Sequence, residues 1–202
     1  MRVFFQWWVR KSTAVKHKLM QLINRFFFLH LESLHLGKVV LGKGCRFHSP
    51  VRVACGKGSV EIGHMNGFGY FSGPKSGDGA LKIQPRKLES QIVIGDKNWF
   101  NNNVTIIANE KIEIGNGCRI GDDVAIYDCD FHEMDPNHRG RSHGPTSPVS
   151  IGDNVWLGSR VMVLKGVQIG ENSVVGAMSL VTKSIPANCI AAGIPAKVIK
   201  SL

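Results

Sequence analysis

The chain has 202 residues, 43% of them apolar, and a formal net charge of +10. That length suits one domain able to bury a core without metals or disulfides, and that apolar share excludes wholesale disorder. The charge is lopsided: residues 1–31 hold six Lys/Arg and no acid, so the basic excess sits mainly in one segment and does not signal a nucleic-acid enzyme.

Residues 1–31 read MRVFFQWWVRKSTAVKHKLMQLINRFFFLHL. Apolar clusters at Val3, Phe4, Trp7 and Trp8, at Val15, Leu19, Leu22 and Ile23, and at Phe26 to Leu29 are separated by polar and charged residues. No run reaches the ~20 residues of a spanning helix. The first cluster is interrupted by Gln6 and ends at Arg10 with no small-residue cleavage site after it, which argues against a signal peptide. Two readings stay open. One is a basic amphipathic helix packed on the body or on a neighbouring subunit. The other is an interfacial helix, with aromatics at the acyl boundary and Lys/Arg on anionic headgroups. The second makes the protein cytoplasmic but peripheral at the inner face of the cell membrane. Cys45, Cys55, Cys118, Cys129 and Cys189 form no CxxC pair and read as reduced, mostly buried thiols of a cytosolic protein.

The body, residues 38–202, runs in steps of six. Weak lines start at Leu41 (LGKGCR, then Phe47) and Ile62 (IGHMNG, then Phe68). From Ile94 the lines are IGDKNW, FNNNVT and IIANEK, then a two-residue offset, then IGNGCR, IGDDVA and IYDCDF from Ile114. After an interruption come IGDNVW, LGSRVM, VLKGVQ, IGENSV, VGAMSL and VTKSIP from Ile151. Position one is always Ile, Leu, Val or Phe, and position two is Gly in seven of these twelve lines. Period six fits neither a helix nor a long alternating strand. A three-residue strand with one inward aliphatic, followed by a turn, fits it; three steps make a triangular coil, and stacked coils pair in parallel. The turn needs residues that tolerate positive φ, which is the role expected of the Gly, Asn and Asp after the aliphatic.

The stretch from Ile151 to Lys200 resembles the bacterial hexapeptide-repeat acyltransferases, above all the galactoside and maltose acetyltransferase group and nearby polysaccharide-modifying members. The resemblance covers residues 91–202 well and 38–90 loosely. It implies an all-β, left-handed parallel β-helix, with residues 1–31 as a short helical appendage. It implies acetyl-CoA as donor, a homotrimer with active sites between subunits, and a sugar or surface-polysaccharide hydroxyl as acceptor, lipid-linked if residues 1–31 rest on a membrane. N-acetylation of an amino sugar or small amine is the alternative on the same scaffold. A non-enzymatic solenoid scaffold and a zinc-dependent, carbonic anhydrase-like protein are weaker readings.

The interruption, 128–148, is long for a solenoid corner, and such insertions are usually functional. Acetyl transfer to a hydroxyl needs a base of suitable pKa and a carboxylate or carbonyl to orient it. His132, at the root of the insertion, stands where similar family members carry their catalytic histidine. Asp130 and Glu133 flank it as candidate orienting groups. His138 and His143 share the loop, but three histidines on one loop do not define a tetrahedral site, so no metal is expected. By the family pattern Asn101 and Asn103 hold acceptor hydroxyls, since an amide donates and accepts. Trp156, Ser159, Ala177, Thr182, Lys183 and Lys200 match positions lining the CoA groove, the lysines as point charges for phosphates.

Overall fold

A computed structural model describes residues 15, 18–25, 38–53, 58–140 and 144–202. The described strands lie in three sheets that make the faces of a triangular prism. Face A stacks β1 (Lys38–Leu41), β4 (Ser59–Ile62), β7 (Gln91–Ile94), β10 (Lys111–Ile114), β13 (Val149–Ile151) and β16 (Gln168–Ile169). Face B stacks β2 (Arg46–Phe47), β5 (Gly67–Phe68), β8 (Trp99–Phe100), β11 (Arg119–Ile120), β14 (Trp156–Leu157) and β17 (Val174–Val175), then β19 (Cys189–Gly193) and β20 (Ala196–Ser201). Face C stacks β3 (Val51–Val53), β6 (Leu81–Pro85), β9 (Thr105–Ala108), β12 (Ala125–Tyr127), β15 (Met162–Val163) and β18 (Leu180–Val181). Each consecutive trio is one coil, so β1 to β3 are coil 1 and β16 to β18 are coil 6.

The sequence register holds residue by residue. On face A, Ile62, Ile94, Ile114, Ile151 and Ile169 are successive parallel partners. On face B the column is Phe47, Phe68, Phe100, Ile120, Leu157 and Val175. On face C it is Val53, Ile83, Ile106, Ile126, Val163 and Val181. All are buried and meet along the prism axis. Each fully buried side chain of this size contributes about 1.5–3 kcal/mol. The phenyl rings of Phe47, Phe68 and Phe100 stack at 5.2 and 5.3 Å between centroids.

The expected role of glycine needs correction. Positive φ falls at the fourth position of the repeat, at Lys97, Gly117, Asn154 and Asn172 on the A–B corner and at Asn103, Asp123, Arg160 and Met178 on the B–C corner. The second-position glycines are needed for a different reason. A Cβ on Gly121 would lie 2.6 Å from the Ser159 nitrogen, and one on Gly158 2.6 Å from the Ala177 nitrogen. Stacked coils touch backbone to backbone there, which only a residue without Cβ allows. The fifth position faces inward and forms a polar ladder. Asn66 Oδ1 accepts from Asn98 N–H (2.8 Å), and Asn98 Oδ1 accepts from Cys118 N–H (2.7 Å).

The two ends are closed differently. β19 and β20 pair antiparallel and finish face B, so the last coil does not end in a free parallel edge. At the other end residues 18–25 are helical and rest on coil 1: Gln21 Nε2 is 3.1 Å from His48 Nδ1, and Asn24 Nδ2 donates to the Phe47 carbonyl. The rest of the 1–31 segment, except Val15, lies outside the described residues. Among the described residues no helix is long and apolar enough to cross a membrane.

Candidate active site

The insertion leaves the prism at the corner between faces C and A, after β12. Its root is held firmly. Buried Asp128 accepts the backbone N–H groups of Asn109 and Glu110, both at 2.7 Å, and so caps the corner of the coil above. Ser147 N–H donates to the Asp128 carbonyl at 2.8 Å, which draws the end of the loop back to its start. Phe131 packs edge-on to Tyr127 (5.2 Å) under the Arg86 guanidinium (4.9 Å from the ring centroid). His132 therefore follows an anchored residue.

His132 is exposed, and its Nδ1 lies 3.0 Å from the Arg139 carbonyl oxygen. A carbonyl can only accept, so Nδ1 carries a proton, and in the neutral form of the ring the lone pair is on Nε2. Of the orienting groups considered from sequence, neither Asp130 nor Glu133 takes that place. The Asp130 carboxylate is bound 2.6 Å from Lys165 Nζ, one coil further on. Glu133 is half-buried in the loop. The Arg139 carbonyl is the group that holds the imidazole in this structure, and the Arg139 side chain donates to the Met134 carbonyl at 3.0 Å, tightening the same turn. Sequence offers no signal for a backbone acceptor. Lys165, which ties down Asp130, sits at the third position of an ordinary repeat line.

His138 pairs with Asp135 at 2.7 Å; the Asn137 backbone N–H and this imidazole hold the Asp135 carboxyl below its ordinary range. Among the described residues no group of three His, Cys, Asp or Glu side chains could hold a metal; His143 and Arg141 lie outside them. Cys129 is buried at the loop root, and burial, with Asp128 beside it, pushes its thiol up to about 11.

The other expected residues divide between two edges of the prism. The B–C edge carries Asn101 and Asn103 in coil 3, Ser159 in coil 5 and Ala177 in coil 6. They form a continuous column: Asp123 N–H donates to the Asn102 carbonyl, Arg160 N–H to the Asp122 carbonyl, and Met178 N–H to the Ser159 carbonyl. Ser159 Oγ donates to the buried Asp122 carboxylate, a partner that sequence reasoning missed. Trp156 stands on the outer side of face B, exposed, in a row that continues through Val174 and Ile190 to Lys200. The C–A edge carries Asp130, His132, Glu133, Thr182 and Lys183. One chain thus presents His132 on one edge and the amides of Asn101 and Asn103 on another, with face C between them.

Asn103 lines a polar cleft of about 250 Å³ with Arg52, Ser76, Asp78, Lys82 and Thr105. Its outer wall is the glycine-rich 69–80 segment, unreadable from sequence. Buried Asn102 pins that segment: its Oδ1 accepts from Ser49 Oγ (2.7 Å) and Tyr70 N–H (3.0 Å), and its Nδ2 donates to the Tyr70 (2.8 Å) and Pro74 (3.0 Å) carbonyls.

Comparison with known proteins agrees with this architecture. Residues 148–183 match the bacterial transferase hexapeptide (six repeats) model. The chain is 41% identical over 115 residues to the galactoside O-acetyltransferase of Escherichia coli (strain K12), across 56% of this chain and 55% of that protein. It spans about half the length of the curated relatives it matches. Among solved structures, the polySia-specific acetyltransferase NeuO superposes with a TM-score of 0.57 at 24% identity, over 83% of this chain and 78% of that one. A galactoside acetyltransferase in complex with coenzyme A superposes with a TM-score of 0.52 at 23% identity, over 91% and 81%. By coil and structural neighbours this chain has the left-handed β-helix fold, and over about half its length it is similar in sequence to galactoside O-acetyltransferases.

Proposed function

We propose that the chain is an acetyl-CoA-dependent O-acetyltransferase acting on a sugar or surface-polysaccharide hydroxyl, with His132 as general base. The observation that carries this is the tautomer-fixed His132, held on a rooted loop at one edge while the amide and small-residue column occupies another. The two edges of one chain face apart. A second copy brings the base of one protomer against the column of the next, and a closed ring of three repeats that contact at every interface. The homotrimer thus completes the site.

Within it, His132 Nε2 removes the proton from the acceptor hydroxyl as its oxygen attacks the thioester carbonyl. The C–S bond then breaks, and the imidazolium returns its proton to the departing CoA sulfur. Asn101 and Asn103, with the cleft beside them, hold the acceptor. Acetyl-CoA supplies the activated acyl group. Trp156, Ser159 and Ala177 offer it an exposed aromatic and a strip of small side chains, and Lys183 and Lys200, both exposed, offer cations for phosphates. Buried unpaired Cys45, Cys118, Cys129 and Cys189 accord with a reducing compartment, and the cytoplasm is the setting of this reading.

The test is thiol release from acetyl-CoA against a panel of saccharides, lipid-linked glycans and amino sugars, with His132→Ala alongside. Hydroxyl-dependent release that vanishes in the variant supports the reading. Release that survives removes His132 as base, and release confined to amine acceptors replaces O-transfer with N-transfer.

A further inference from the structure

The helix over residues 18–25 is turned inside out for a packed amphipathic helix. Its polar side chains face the prism: Asn24 is 5% exposed and donates to the Phe47 carbonyl, and Gln21 reaches His48. Its apolar side chains face outward. Leu19 is 55% exposed, Leu22 65%, Ile23 37%, and Val15, also helical, 65%. At about 100° per residue these four fall within an arc of roughly 100°, opposite Asn24 and Gln21. Exposed apolar surface of this kind marks a contact with another phase or molecule.

We propose that this outward face docks on an anionic lipid bilayer. Charge selects the occupant. Lys18 and Arg25 border the apolar arc on one side, both exposed, Arg46 of coil 1 lines the cleft beside them, and no residue of 18–25 is acidic. Such a surface repels a second copy of itself and is attracted to acidic headgroups, while the apolar arc enters the acyl boundary. Position supports the same occupant. The helix caps the coil 1 end, and the Asn101–Asn103 corner lies two coils below, about 10 Å at the usual strand spacing. The docked surface therefore lies at the acceptor end of the prism and not at the closing β19–β20 end. A threefold assembly would place three such helices at one end, since rotation about a common axis leaves every copy pointing the same way.

This deepens the transfer reading and rests on it only for the meaning of that corner. The experiment is co-sedimentation of the full chain with vesicles of phosphatidylcholine, alone or mixed with phosphatidylglycerol. The parent chain, L19E/L22E and K18S/R25S are compared, with circular dichroism and light scattering on each. The expected result is sedimentation with the anionic vesicles only, weakened at least about tenfold in L19E/L22E and brought to the neutral-vesicle level in K18S/R25S. No sedimentation of the parent, or equal sedimentation of the variants, overturns the proposal. A change of oligomeric state in L19E/L22E without vesicle binding by the parent also overturns it and assigns the face to a second copy. Coenzyme A binding by calorimetry runs alongside: its loss with docking intact would count against the transfer reading alone.

Discussion

Lys165 Nζ stands 2.6 Å from the Asp130 carboxylate, so the acidic residue two before His132 is tied to the next coil and not to the imidazole. The imidazole is instead held by the Arg139 carbonyl across its own loop. One contact fixes where the loop leaves the scaffold, and the other holds the His132 ring.

His132→Ala is expected to lower kcat/KM by about 10²–10⁴, the usual worth of a positioned general base. Coenzyme A affinity should be nearly unchanged, because the substitution leaves Trp156, Ser159, Ala177, Lys183 and Lys200 in place. Steady-state kinetics and calorimetry check the two halves separately. A fall in kcat/KM below tenfold would point to another base.

Lys165→Met should separate activity from stability. The pair is partly exposed on both sides, so its loss costs at most about 1 kcal/mol. The rate should fall further than that, because Asp130 is freed beside the base, and Lys165→Arg should recover most of it. Thermal midpoint and kcat measured on the three proteins decide the matter; equal rates for Met and Arg would show that the pair does not position the loop.

Two glycine replacements should behave oppositely. Gly121→Ala places a methyl 2.6 Å from the Ser159 nitrogen and should destabilise by about 1–3 kcal/mol, as overpacking does. Gly117→Asn puts into a positive-φ site, with no neighbour within 4 Å of the new Cβ, the residue type already found at Asn154 and Asn172. It should stay within about 0.5 kcal/mol of the parent. Denaturant midpoints compare them.

Asn102→Ala should loosen the 69–80 segment. The change strips four hydrogen bonds from one buried hub and leaves the Tyr70 N–H and Ser49 hydroxyl without their acceptor. Each buried group left unsatisfied costs about 1–3 kcal/mol. Limited proteolysis should cut within 69–80, and the acceptor KM should rise while the acetyl-CoA KM holds.

Alkaline pH should weaken the fold through two thiols. Burial pushes Cys118 and Cys129 from 9.0 up to about 11, so the folded chain keeps protons that the unfolded chain loses near 9. Their contribution is complete below pH 9 and declines as pH rises from 9 through 11. Denaturation midpoints at pH 8 and pH 10.5 should show the drop, and Cys118→Ser with Cys129→Ser should shrink it. Native-state labelling by a thiol reagent at pH 8 should be slow at both sites, since the thiolate is the reactive form.

The coil was legible because its determinants are local. One inward aliphatic per six residues is a pattern within a single strand, so Ile94, Ile114 and Ile151 announce their own stacking, and even the offset at Ile112 falls inside β10. The 128–148 insertion was legible for the same reason, as a break in an otherwise regular period. What the local pattern could not carry was anything set by contact between coils. The second-position glycines answer to the next coil, which lies 16 or more residues away in the chain, and their φ does not require glycine. Asp130 is claimed by Lys165, 35 residues on, while the His132 imidazole is held by a main-chain oxygen that every residue possesses. The separation of His132 from Asn101 and Asn103 onto different edges is likewise a property of the closed triangle. Residue type and period specify which side chains turn inward; only the stacking of coils decides which outward groups become neighbours, because that depends on the cumulative rotation of the chain around the prism.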